Sequence, residues 1–364
     1  MQAVFRVDAS ISMGTGHVMR CLSLADELKA LGANIIFISR EHPGHLSDLI
    51  QKRGHDVALL SEPGLEFLPA QNDVVHAKWL GVSWHQDAKE TLQIMGNTQP
   101  DLLIVDHYAL DAQWHKELRQ HVKKIFVIDD LADRQFDCDI LLDQTYERQR
   151  NDYQSLVPND CRMLLGTRYA LLQANFSRLR SDAIERRKSF NGVQRILISI
   201  GGYDSGNVTL MVLKGLEKVD WSSPPQIDVV LGANAPHLQS VQQYATLMSL
   251  NVSVSVDVSD MAERMLLADL AIGAGGITSW ERCCLGLPTL MVSNADNQKK
   301  ISEALSAASA VLLMGKKGEL TPNDIAAYLE KVIYKQKLWI NLSKNAFKVT
   351  DGLGARRICE ALVQ

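Results

Sequence analysis

The sequence has no long apolar run. No stretch of its 364 residues reaches the ~18 consecutive apolar positions that mark a membrane-spanning helix, so no membrane partner is expected. It has no basic surplus either: 38 Lys and Arg stand against 42 Asp and Glu, for a formal net charge of −4. Nucleic-acid binders carry a basic excess or stripe, so that class of partner is excluded. The densest basic stretch, 178–188, alternates with acids and apolar residues and reads as a solvated helix face. There is no Cys-x-x-Cys pair among Cys21, Cys138, Cys161, Cys283, Cys284 and Cys359, and the adjacent Cys283 and Cys284 suit neither a mutual disulfide nor a zinc site. No metal and no cofactor are expected, and six thiols imply a reducing compartment. The opening MQAVFRVDAS lacks the charged segment and apolar run of a signal peptide, which makes the cytoplasm the expected location. A monomer or weak oligomer is expected.

What is present is a regular alternation. Ala3–Val7, Ile35–Ile38, Val57–Leu60, Leu102–Val105, Ile125–Ile128 and Ile140–Leu142 are short and almost wholly apolar. Runs of that kind fit parallel strands covered on both faces. Between them stand amphipathic stretches such as His17–Leu31, Ala88–Met95 and Ala112–Val122. The rhythm breaks after Arg168, where a polar helix-forming stretch (170–187) and an FNGV turn (190–193) intervene. It then resumes through Arg195–Ile200, Ile227–Leu231, Val252–Val256, Leu270–Ile272, Thr289–Val292 and Val311–Leu313. This predicts an α/β chain of two doubly wound, Rossmann-like parallel-sheet domains facing a cleft. The expected divisions are an N-terminal domain over 1–168, a linker helix and turn over 169–193, a C-terminal domain over 194–345 and a helical tail over 346–364. Ligands of such sheets bind at the strand carboxyl ends, and domain interfaces favour deep pockets.

Four motifs lie at those ends. Gly14-Thr15-Gly16-His17 follows the first strand and opens a helix. Its glycines permit a tight turn and close approach of a ligand. No third glycine follows, so the usual dinucleotide fingerprint is disfavoured. His17, at the helix start, is a candidate general base, with Arg20 one turn on. Asp106-His107-Tyr108 ends the Leu102–Val105 strand and is placed to meet ligand. Asp129 and Asp130 end the next strand, but neighbours on a strand point opposite ways, which disfavours joint metal binding. Gly201-Gly202 opens the second series with a turn able to seat phosphate. The most specific motif is Gly273-Ala-Gly275-Gly276-Ile-Thr278-Ser279-Trp-Glu281, followed by Gly286-Leu-Pro288 and Asn297-Gln298. Glycines leading into a helix, with the Thr278 and Ser279 hydroxyls, would surround a diphosphate. Glu281, a turn further on, would accept hydrogen bonds from vicinal ribose hydroxyls.

This last motif resembles the UDP-sugar-binding domain of GT-B proteins such as MurG. The N-terminal motifs narrow the resemblance. Arg6-Val-Asp8, Gly14-Thr-Gly-His17-Val-Met-Arg20, Asp106-His-Tyr108, Asp129-Asp130, Cys138-Asp-Ile-Leu-Leu142, Gly166-x-x-Tyr169-Ala-Leu-Leu172 and Gly201-Gly202-x-Asp204 are similar to the PseG family. Those enzymes are the UDP-2,4-diacetamido-2,4,6-trideoxy-β-L-altropyranose hydrolases of pseudaminic acid biosynthesis, a route to flagellin and surface-polysaccharide glycosylation. The resemblance covers residues 3 to 300. It implies a UDP-sugar substrate, His17 as general base and Tyr108 as a sugar contact. It further implies Glu281 on the ribose and Asn297 in the cleft, with Gly14, Gly16, Arg20, Asp106, Gly201, Gly202 and Gln298 on the substrate side. Gly275, Gly276, Thr278 and Ser279 would hold UDP. The chain departs from the pattern at Gln173, where arginine is expected. The implied reaction is metal-independent, with inversion at the anomeric carbon. The alternatives are a GT-B glycosyltransferase using a UDP-sugar donor and a non-catalytic nucleotide-sugar sensor.

Overall fold

A computed structural model describes residues 1–63, 67–71, 73–293 and 299–363. The chain divides into two compact units, Met1–Leu171 with Gly354–Gln364, and Leu172–Leu353.

The first unit is built on seven strands: β1 (Gln2–Val7), β2 (Asn34–Arg40), β3 (Asp56–Leu60), β4 (Leu102–Asp106), β5 (Ile125–Ile128), β6 (Ile140–Asp143) and β7 (Arg162–Leu165). All neighbours are parallel, in the order β3-β2-β1-β4-β5-β6-β7. The strand runs are mostly apolar because both faces are covered. Ala3, Phe5 and Val7 pack with Val18, Leu22 and Leu28 of the helix Gly16–Ala30. The alternate residue Val4 packs on the other side, in a core shared with Trp114 and Leu118 of the helix Ala112–Leu118. The helix Gly354–Val363 closes the first of these cores through Ala355, Ile358 and Cys359. Residues 354–364, expected as part of a tail, are thus part of the first unit.

The second unit carries β8 (Arg195–Ser199), β9 (Gln226–Leu231), β10 (Val252–Val256), β11 (Leu270–Ala274), β12 (Thr289–Ser293) and β13 (Leu312–Lys316). They too are parallel, in the order β10-β9-β8-β11-β12-β13. One sheet face buries Ile196, Ile198, Leu270 and Ile272 against Val212, Leu216, Ile325 and Leu329. The helix Ala174–Arg186, expected within a linker, packs on the helices Met261–Leu267 and Ile277–Cys284 of this unit. Its Arg180 donates to Cys284 O at 2.6 Å, Thr350 O at 2.9 Å and Phe347 O at 2.7 Å, satisfying carbonyls that two helix ends leave open. Gln173 immediately precedes this helix, with its side chain half-buried.

In each sheet the strand order reverses at its centre, between β1 and β4 and between β8 and β11. Such a switch point opens a crevice at the carboxyl ends. The strand-end motifs flank these two points.

Candidate active site

In the first unit, β1 runs into a short turn closed by the Gly14 N–H on Ser10 O at 2.8 Å. Gly14 has φ +78°, a left-handed conformation that costs glycine nothing. The chain then enters the helix at Gly16, so that His17 and Arg20 lie one turn apart and face the end of β4. There Asp106 collects both. Arg20 Nε donates to Asp106 Oδ2 at 2.6 Å and Nη2 to Oδ1 at 2.7 Å, while His17 Nδ1 lies 2.6 Å from Oδ1. Arg20 also reaches Asp130 Oδ2 at 2.9 Å, and the Tyr108 hydroxyl donates to Asp130 Oδ1. The ring of Tyr108 meets the His17 ring edge-on, with centroids 4.6 Å apart.

Charge sets the roles of these groups. Burial would raise the Asp106 carboxyl, but Arg20, and then His17, more than offset this and hold it well below the usual carboxylate range. Burial likewise opposes ionisation of Asp130, and Arg20 again reverses the outcome. Burial and then Asp130 push the Tyr108 phenol well up, so it remains a donor. An ionised Asp106 can only accept, so the His17 proton sits on Nδ1 and the Nε2 lone pair is left free. Arg20 and Asp106 were expected to contact substrate. At 2% and 0% exposure they stand behind His17 instead, because their charges neutralise each other there. Asp129 and Asp130 face different partners: Asp129 accepts from Arg134 Nη1 at 2.9 Å and the Tyr153 hydroxyl at 2.7 Å.

Sequence reasoning missed the aromatic cover of this site. Trp79 and His76 tilt over Tyr108 with centroids 5.7 and 5.5 Å away. They lie in a connection without a strand or a recognised motif, so no local pattern marks them. Trp79 also lines a cavity of about 560 Å³ with Ser10, Ser12, His42, Pro43, Pro63 and Lys78. Beneath it lies a buried ionic cluster that the sequence also left unread. Arg6 bridges Asp8 and Asp87, each at 2.6 Å, and Arg40 joins Asp87 at 2.8 Å and Glu90 at 2.8 Å.

In the second unit the two glycine turns differ. After β8, Gly201 (φ +131°) and Gly202 are exposed. The following helix start is already filled: Asp204 accepts from Val208 N at 3.0 Å and Thr209 N at 2.9 Å. A phosphate would have to displace this carboxylate, so the expected phosphate seat is taken by the chain itself. After β11, Gly275 and Gly276 lead into Ile277–Cys284, whose first turn holds no acid and whose N-cap, Gly276, has no side chain to spend. This second helix start is open to an anion. Ser279 was expected to offer its hydroxyl outward. It is buried, because it accepts from Gly276 N at 3.2 Å and donates to Ala274 O at 3.4 Å, holding the turn. Thr278 is half-buried and accepts from Arg282 Nη1 at 3.2 Å. Burial pushes the Glu281 carboxyl up to about 7, with Arg282 working against it. Asn297 and Gln298 lie outside the described residues. Among those residues, no group of three His, Cys, Asp or Glu side chains is arranged to hold a metal ion, and no helix is long and apolar enough to cross a membrane.

Known proteins with the same architecture and related sequence bear on this geometry. Acinetobacter baumannii MurG matches all of the chain and 99% of its own with a TM-score of 0.69 at 13% identity. Arabidopsis thaliana UGT89C1, solved with UDP, matches at 0.70 and 11% identity over the whole of both chains. The fold is GT-B. Among curated sequences, the Campylobacter jejuni UDP-2,4-diacetamido-2,4,6-trideoxy-β-L-altropyranose hydrolase is a homologue, 24% identical over 73% of this GT-B chain and 81% of its own. Bacillus subtilis SpsG, a spore coat polysaccharide biosynthesis protein, is 24% identical over 98% and 96%. Uncharacterised protein MJ1062 of Methanocaldococcus jannaschii is 26% identical over 82% of the chain, which spans only 57% of that longer protein. No family profile matches the chain.

Proposed function

We propose that this chain hydrolyses a UDP-linked 2,4-diacetamido-2,4,6-trideoxyhexose to the free sugar and UDP, as a step toward pseudaminic or a related nonulosonic acid. The observation that carries the reading is the His17–Asp106 pair, an imidazole whose Nδ1 lies 2.6 Å from a buried carboxylate; in this reading the carboxylate holds the proton on Nδ1 and leaves Nε2 to accept. Homology to the Campylobacter hydrolase supports the choice of substrate.

In this reading His17 Nε2 takes a proton from water as the water oxygen attacks the anomeric carbon. The bond from that carbon to the phosphate oxygen breaks, its electron pair leaves on UDP, and the centre inverts. UDP is a stable leaving group, so no strong acid is needed. In the second unit, the helix that starts after Gly276 has no acid in its first turn and a positive dipole end suited to the charge of a diphosphate. Asp106 and Arg20 act as positioning residues for His17, and Tyr108 flanks the reacting sugar. The cavity beside Trp79 offers the Ser10 and Ser12 hydroxyls and the Lys78 amine against Ile11, Pro43 and Pro63, a mixture suited to a deoxysugar bearing acetamido groups.

The test is product analysis by NMR and mass spectrometry in ¹⁸O-water without added acceptor. Free sugar labelled at the anomeric oxygen is expected, and His17→Asn should lower turnover at least ~100-fold. Unimpaired turnover in that variant rejects His17 as base. The matches to MurG and UGT89C1 keep a transferase as the second reading, and release of UDP only on adding an acceptor, with the sugar found joined to that acceptor, would establish it. Binding of UDP without turnover under either condition would mark a sensor.

A further inference from the structure

Arg282 is among the most deeply buried large side chains, with Arg6, Arg20 and Arg40. The other three are each in contact with carboxylates at 2.6 to 2.8 Å. Among the described residues Arg282 has no carboxylate within ion-pair distance, and its Nε has no hydrogen-bond partner. Its contacts are neutral: Nη2 donates to Ala274 O at 2.6 Å and lies 3.2 Å from Ser279 Oγ, and Nη1 reaches Thr278 Oγ1. These contacts fold the guanidinium back toward the start of its own helix, where the helix dipole opposes a cation. The sequence makes room for it there. A Cβ on Gly273 would come within 2.5 Å of Arg282 Nη1. Burial moreover lowers the Arg282 guanidinium to about 10, the mark of a charge that its surroundings do not compensate. Arg187 is also buried without a carboxylate contact, but it donates to Met265 O, in the helix that precedes the amino end of β11, away from the strand ends that face ligand.

A buried cation, placed against a helix dipole and behind a glycine turn with no acid in the first turn of its helix, needs an anion that the described residues do not supply. We propose that Arg282 is the built-in counter-charge for the nucleotide's diphosphate, a positioning residue that presents the Gly275–Gly276 turn and its own charge to the phosphates from below. The inference rests on the reading that the second unit holds UDP.

Calorimetric titration of the full chain with UDP and with uridine, for wild type, Arg282→Gln and Arg282→Lys, tests it. Loss of a charge-assisted contact corresponds to a fall in UDP affinity of about 10- to 100-fold in Arg282→Gln. Uridine, which lacks phosphate, should bind all three alike, and Arg282→Lys should recover part of the loss. Inorganic pyrophosphate should raise the melting temperature of wild type and not of Arg282→Gln, a readout usable even where the variant is less stable. Equal UDP affinities, or equal losses for UDP and uridine, would overturn the inference by reducing Arg282 to a scaffold residue. A wild type that binds neither ligand would refute the functional reading itself, and the inference with it.

Discussion

Asp106→Asn separates the role of the Asp106 carboxylate from its shape. Asp106 accepts two hydrogen bonds from Arg20 and one from His17, on two oxygens. An asparagine can accept on one atom only. If its oxygen faces His17, its amide N–H₂ confronts Arg20 Nε, donor against donor. If it is turned over, the N–H₂ faces His17 Nδ1 and forces the proton to Nε2, the atom that must accept from water. Either orientation removes the negative charge that compensates Arg20. Turnover should fall about 100- to 10,000-fold, the worth of a positioned general base. The stability cost should be near ~3 kcal/mol, at the low end for breaking a buried ion pair, because Asp130 stays 2.9 Å from Arg20. Steady-state turnover, thermal unfolding and ¹⁵N NMR of the His17 ring check the three claims, with UDP binding by the second unit as an integrity control. The change should add little in a His17→Asn background, since the two residues act as one. A folded variant with near-normal turnover and an unchanged His17 tautomer would refute the reasoning.

Three further outcomes are expected. Glu281 is raised in the folded chain from 4.5 to about 7, so its ionisation is disfavoured there. Stability relative to Glu281→Gln should therefore fall as pH rises from about 4.5 to about 7, while affinity for a UDP-sugar, whose ribose needs an ionised acceptor, should climb over the upper part of that range and be flat in the variant. Asp87→Ala should destabilise the first unit by ~3–5 kcal/mol, because Arg6, Arg40 and the Trp114 indole all bond to it, yet leave UDP binding intact. The same cluster sets the acid limit. The Asp8 and Asp87 carboxyls lie below their usual range, so the stability they contribute is present above ~4 and lost as pH falls further, which acid titration by circular dichroism would read.

Most of the architecture was legible because buried parallel strands leave a plain mark. Twelve short apolar runs fell where twelve of the strands lie, within a residue or two at most ends. The missed strand, β7, is an edge strand whose Arg162 is exposed and whose run is only four residues long, too brief to stand out. The candidate site was legible where glycine turns and strand ends coincide, at His17, Asp106 and the turn after β11. Direction was not legible: the sequence placed Arg20, Asp106 and Ser279 near ligand, and only partner geometry shows them turned inward. Nor were long-range ion pairs such as Arg6 with Asp87, since nothing in either neighbourhood names a partner 81 positions away.

The packing of Ala355, Ile358 and Cys359 into the first core has a consequence for biosynthesis. All seven strands of that sheet have left the ribosome once Leu165 is out, but the surface that Gly354–Val363 covers stays bare while the whole second unit is being translated. The nascent first sheet must wait, greasy side out, for a segment nearly two hundred codons downstream.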